Sequence, residues 1–105
     1  MLRIGLIGKN PSFMKLVSKH LIHKHQFENY VSPRMNIHTS YVCPYVYTNE
    51  KYTRLKEYNF IFIKLESGIY IPAEYTVDIC SNLPSILDHI DLIVEKQKLN
   101  DLYSY

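Results

Sequence analysis

Short, dense apolar runs alternate along this chain with longer stretches in which apolar residues recur every third or fourth position. The first run, Leu2 to Ile7 (LRIGLI), is branched, nearly all apolar and closed by Gly8, the pattern of a buried parallel strand. Asn10-Pro11-Ser12 supplies a turn and a helix start, because Pro fits the first turn and Ser caps free amides. Phe13, Leu16, Val17, His20 and Leu21 then fall at helical spacing and predict one inward stripe. Lys15, Lys19, His23 and Lys24 lie off it and predict a basic solvent face, with the helix fading between His25 and Asn29.

Val31 to Arg34 reads as loop. Asn36 to Tyr47 is rich in Ile, Thr, Tyr and Val and predicts a strand, in which Pro44 limits the length or sets it on a sheet edge. Thr48 or Asn49 caps a short helix through Glu57 that buries Tyr52 and Leu55. Asn59 to Leu65 (NFIFIKL) is nearly all apolar inside and predicts a third strand. Gly68 to Pro72 is a turn with no long helix after it, and Tyr75 to Cys80 predicts a fourth strand closing at Ser81-Asn82. Leu83-Pro84-Ser85 opens a short helix to about His89, with Ile86 and Leu87 inward. Asp91 to Val94 predicts a fifth strand and Leu99 to Tyr105 the start of a last helix. Alternating strands and helices predict an α/β fold, a parallel sheet covered by helices, with no internal repeat.

Composition narrows the class. At 105 residues, 47% hydrophobic and 21% charged, the chain predicts one domain over 1–105 with one core, not a disordered tail, and leaves little room for a large enzyme mechanism. No run approaches the roughly 18–20 apolar residues of a membrane span, and Met1-Leu2-Arg3 opens straight into strand-like sequence. A cytoplasmic protein without a membrane partner is the expectation, and Cys43 and Cys80 read as two reduced thiols. The net charge of +2 hides an asymmetry. Residues 1–56 hold nine Lys/Arg against two acids, whereas residues 57–105 hold three Lys against eight acids. A basic pole and an acidic pole follow if the halves stay apart in space, and most of the difference cancels if they interleave.

The order of these segments resembles the receiver domain of bacterial response regulators. RIGLIGKNPSFMKLVSKHL is similar to the receiver opening, in which a strand runs into two acidic residues. YNFIFIKLESGIYIP resembles the central strand that carries the phospho-acceptor Asp, and TVDICSN the fourth strand ending in Ser or Thr. HIDLIVEKQKLNDLYSY resembles the fifth strand, its Lys-Pro pair and the last helix. The resemblance implies a receiver-like (flavodoxin-like) three-layer fold with five parallel strands in the order 2-1-3-4-5, the third helix reduced or absent.

Departures from the family pattern decide the chemistry. Gly8 and Lys9 stand where receivers have the acidic pair, and Lys64 stands at the phosphorylated Asp. Ser81 keeps the hydroxyl position, while the phosphoryl-contacting Lys falls on Glu95, its following Pro on Lys96, and the switching aromatic on Leu92. A receiver needs a carboxylate nucleophile and oxygen ligands for Mg²⁺, which Lys9 and Lys64 do not supply. The resemblance therefore implies a non-phosphorylatable pseudo-receiver with no cofactor and no catalysis. It also implies that Lys64 and Glu95 form an internal salt bridge, the receiver's acid–Lys pair with its signs exchanged; two independent solvated side chains is the alternative.

Other constellations point less far. Gly5-x-x-Gly8-Lys9 lacks the length of a P-loop and the third glycine of a dinucleotide fingerprint, yet Lys9, Ser12 and Lys64 near a helix start could hold an anion or nucleotide. His20 and His23 have a metal-like helical spacing, but no acid or Cys lies beside them in sequence, so a basic face is preferred and no metal is expected. Lys15, Lys19, Lys24 and Arg34 could meet nucleic acid or an acidic partner, although no aromatic residues are interleaved as a stacking platform. Ten tyrosines, among them Tyr41, Tyr45, Tyr47, Tyr52, Tyr58, Tyr70 and Tyr75, suit an interface or simply strand propensity.

The expectation is a protein-interaction module that regulates signalling or transcription by forming a homodimer or by binding a kinase or another regulator. By the resemblance, the partner face is Leu83 to Tyr105, with Ile86, Asp88, Asp91, Leu92, Glu95, Lys96 and Tyr103. Two alternatives stay open: a small nucleotide- or phosphate-binding protein using the loop after the first strand, and a nucleic-acid-binding regulator using the first helix.

Overall fold

A computed structural model describes residues 2–31, 35–65, 68–78 and 82–102 of the chain. Its elements run β1 (Arg3–Ile7), α1 (Pro11–His25), β2 (Glu28–Asn29), β3 (Tyr41–Val46), α2 (Asn49–Glu57), β4 (Ile61–Lys64), β5 (Tyr75–Thr76) and α3 (Leu83–Leu102). All strand pairs are parallel, in the order β2-β3-β1-β4-β5.

The α/β class and the parallel sheet are as expected, but the order is not 2-1-3-4-5. The segments read as the first four strands do lie side by side, as β3-β1-β4-β5. The added edge strand β2 is two exposed polar residues long and carries no hydrophobic signal. The predicted fifth strand does not exist: Asp91 to Val94 lies inside the 20-residue helix α3. Asp-Leu-Ile-Val looks strand-like in isolation, yet Ile86, Ile90, Ile93 and Val94 are all buried at helical spacing. No Gly or Pro interrupts the chain from Ser85 to Leu102, so the short and last helices fuse. Asn82 starts this helix; its side-chain oxygen accepts from the Ser85 amide at 2.9 Å and its carbonyl from Ile86 at 3.1 Å.

Two apolar layers sandwich the sheet. On one side Leu2, Ile4, Leu6, Val42, Ile63 and Leu65 meet Met14, Val17 and Leu21 of α1 and Ile86, Ile90, Ile93 and Val94 of α3. On the other, Ile7, Cys43, Val46 and Phe62 meet Leu55 of α2 together with Ile69 and Ile71. The described part of the segment between β4 and β5 is irregular, in keeping with a third helix reduced or absent. Helix α1 is rotated from the expected stripe: Met14 and Ser18 point inward, while Leu16 is 51% exposed.

Two residues explain local departures from plain pairing. Pro44 sits in an interior strand, not at the edge, because β2 reaches only Tyr41 and Val42 and asks nothing of position 44. Gly5 makes room for an aromatic ring: a Cβ there would lie 2.8 Å from two atoms of Phe62. The Gly5-x-x-Gly8 pattern thus serves packing at its first glycine. No helix among the described residues is long and apolar enough to cross a membrane.

Candidate functional site

At the carboxyl ends of the strands, the connection after β1 leads to α1 on one face, while the connection after β4 contributes Ile69 and Ile71 to the other. The chain thereby opens a crevice where open α/β sheets commonly bind ligands. Here it is a small cleft of about 240 Å³ lined by Lys9, Tyr47, Asn49 and residues 68–71. Ile7 pairs with Lys64, so Gly8, Lys9 and Lys64 all lie at this end of the sheet. Gly8 is buried and donates its amide to the Val46 carbonyl at 3.1 Å, and the Lys9 carbonyl accepts from the Tyr45 hydroxyl at 2.6 Å. Ser12 is exposed in the first turn of α1. The helix start is a poor anion cradle, because Pro11 has no amide hydrogen and the Phe13 amide already donates to Asn10 Oδ1 at 3.1 Å. Ser81 lies outside the described residues.

Lys64 and Glu95 stand on opposite sides of the sheet. Strand alternation sends Ile63 and Leu65 toward α1 and α3, so Lys64 between them faces the α2 layer. Glu95 is on α3, where its carboxylate reaches His25 Nδ1 at 3.9 Å and Lys98 Nζ at 4.0 Å. The sign-exchanged salt bridge fails because its fifth-strand residue is on a helix instead.

What the fold does assemble is a polar cluster between α1 and α3. Asp91 Oδ1 lies 2.7 Å from His20 Nε2 and 2.7 Å from His25 Nε2, and its Oδ2 is 2.7 Å from Lys24 Nζ. The His25 side chain is only 4% exposed, Asp91 14% and His20 19%. Burial pushes the Asp91 carboxyl up, but hydrogen bonds from Lys24, His25 and His20 outweigh it and hold it at about 2. An ionised carboxylate only accepts, so both imidazoles donate from Nε2. His20 and His25 occupy the last two turns of α1, where the negative end of the helix dipole favours positive groups.

Sequence spacing alone did not reveal this cluster. The His pair at metal-like spacing was His20 and His23, but His23 is exposed and His25 turns inward. Asp91 comes from 71 residues beyond His20, on a segment expected to be a strand. Reading residues 83–102 as one helix places Asp91 beside the inward Ile90 and Val94, the one signal that was available. The cluster also pairs Lys24 of the basic face of α1 with Asp91, while Lys15 and Lys19 are exposed. Arg34 lies outside the described residues.

The expected partner face divides in two. Ile86 is buried in the core and Asp91 belongs to the cluster, so neither is available at a surface. Asp88, Leu92, Glu95, Lys96 and Leu99 are all exposed and share the outer side of α3, with Leu92 69% and Leu99 55% accessible. Lys96 Nζ rests 5.9 Å from the centre of the Tyr75 ring. Tyr103 lies outside the described residues. Burial pushes the Cys43 thiol up despite nearby Lys51, which leaves it protonated and unreactive; Cys80 lies outside the described residues.

Among the described residues, fold and surface together define an all-parallel α/β arrangement with a polar cluster between α1 and α3 and two exposed leucines among charged residues on the outer side of α3. No protein-family model matches the chain, and no curated protein and no solved structure matches it.

Proposed function

We propose that this chain is a non-catalytic protein-interaction module that pairs with a second copy of itself through the outer face of α3. The observation that carries the reading is the exposure of two leucines one heptad apart on that face. An antiparallel two-fold pairing centred between Glu95 and Lys96 sets Leu92 against Leu99 of the second copy. The same operation sets Glu95 against Lys96 of the second copy, an isologous contact satisfied in charge as well as in apolar surface. Asp88 lies on the same stripe and extends it toward the helix start.

Size sets the strength. Complete burial of a leucine contributes about 2 kcal/mol, so four leucines exposed by half to two-thirds give roughly 5 kcal/mol before the cost of association. The pair is therefore weak, with a dissociation constant in the range of about micromolar to millimolar. Such a module is switched by concentration or by a competing partner.

The receiver-like, non-phosphorylatable reading fits beside this one. It is supported by the β3-β1-β4-β5 arrangement, by Lys9 in the carboxyl-end cleft and by Lys64 at the end of β4. The self-pairing reading does not depend on it. A kinase or another regulator as the occupant of the same face is the competing outcome.

Sedimentation velocity across a concentration series tests the proposal. Glu95→Lys alone opposes like charges across the two-fold axis and weakens association. The double exchange Glu95→Lys with Lys96→Glu restores it. Equal association of all three proteins, or none at about millimolar concentration, overturns the proposal.

A further inference from the structure

The cluster between α1 and α3 has the composition of a metal site as well as that of a clamp. His20, His25 and Asp91 each present one donor atom, and the three donors lie within 4.8 Å of one another. We propose that these three residues bind a divalent first-row transition ion, with zinc as its chemical type.

Geometry, ligand type and surroundings each support this. Tetrahedral zinc takes imidazole nitrogen and carboxylate oxygen at about 2.0–2.2 Å, which sets neighbouring donors about 3.3 Å apart. The two histidine-to-Asp91 distances are 2.7 Å, so seating an ion requires each ring to withdraw by only a fraction of an ångström. Each ring takes the ion at Nε2 in its Nδ1–H form: a neutral ring moves its proton from Nε2 to Nδ1, an imidazolium releases the Nε2 proton to solvent, and the ion takes one bond from each ring and one from Oδ1. A water completes four-coordination, since two imidazoles and one carboxylate supply three ligands. Both histidines lie near the negative end of the α1 dipole, which favours a cation.

The outer shell is built as well. Lys24 binds the other carboxylate oxygen at 2.7 Å, which fixes the Asp91 plane while leaving Oδ1 directed at the rings. Glu95 Oε1 stands 3.9 Å from His25 Nδ1, the nitrogen opposite the donor. When Nε2 takes the metal, the proton resides on Nδ1, and a small movement of Glu95 accepts it. That carboxylate–histidine–metal chain sets the tautomer and strengthens the ligand. His23, exposed on the same helix, is not part of the cluster.

All three ligands belong to one chain, and only Glu95, the outer partner of His25, is shared with the proposed α3 pairing. Its test is a zinc titration of the metal-free protein, followed through the imidazole nitrogen resonances and by calorimetry. The expected result is saturation at one ion per chain, with the Nε2 signals of His20 and His25 shifting and those of His23, His38 and His89 unmoved. His20→Gln, at a partly exposed position, weakens binding by at least about tenfold, the lower end of the loss seen for outer-shell changes. His23→Gln leaves binding unchanged. Failure of wild-type protein to saturate by about millimolar zinc, shifts confined to His23, His38 or His89, or full affinity in folded His20→Gln overturns the proposal. If His20→Gln does not fold, the wild-type resonances decide alone.

Discussion

Replacing Asp91 by Asn tests how much of the fold depends on the contact between α1 and α3. The side chain keeps its shape but loses the charge that accepts from His20, His25 and Lys24, each at 2.7 Å. It also presents an NH₂ to groups that are donors already, which turns an attraction into a conflict. The carboxyl is held at about 2 against an ordinary 3.8. At about 1.4 kcal/mol per pKa unit, that difference corresponds to roughly 2 kcal/mol of stability. Lys24 is more than half exposed, so solvent screening trims this contribution, while the misdirected NH₂ adds to the loss. Urea unfolding of the metal-free protein at neutral pH should show the variant less stable by about 2–3 kcal/mol. The sign of the pH dependence follows from a folded-state value below the unfolded one. The wild-type advantage is complete above about pH 4–5 and disappears as pH falls through about 2, where the two proteins converge. A difference below about 0.5 kcal/mol at neutral pH refutes the reasoning, as does one that stays constant from about pH 5 down to about pH 2.5.

Three further outcomes probe other parts of the structure. Gly5→Ala drives a methyl into the Phe62 ring, itself held against Tyr52 with centroids 4.6 Å apart; thermal unfolding should register a loss of about 1–3 kcal/mol. Gln26→Gly should stabilise by about 0.5–1 kcal/mol in chemical unfolding, because Gln26 closes α1 in the left-handed region with φ of 59°. Asn82→Ala removes the side-chain acceptor that starts α3 and should cost about 1 kcal/mol, with faster amide exchange at Ser85.

The sequence was most legible where burial pattern and end signals agree. Leu2 to Ile7, Asn59 to Leu65 and the helix capped by Thr48 were all recognisable, because apolar runs and caps are local properties. The last third was misread for a physical reason. An apolar run with two β-branched residues, Leu92-Ile93-Val94, suits a strand locally, and only the wider spacing of Ile86, Ile90, Ile93 and Val94 selects the helix. That single error carried into the site. It separated Asp91 from His20 and His25, and it put Glu95 beside Lys64 instead of on the opposite side of the sheet. Of the residues assigned by resemblance to a partner face, Asp88, Leu92, Glu95 and Lys96 share the exposed outer side of α3, whereas Ile86 and Asp91 turn inward. The two-residue strands β2 and β5 depend on tertiary pairing, which has little local signature.

Pairing of α3 is tested most directly by nuclear Overhauser contacts between labelled and unlabelled copies mixed in one sample. The expected spectrum contains intermolecular cross-peaks from Leu92 methyls to Leu99 methyls, growing with concentration. Cross-peaks that instead connect other surfaces, or a mixed sample silent at about millimolar protein, contradict the assignment of this face.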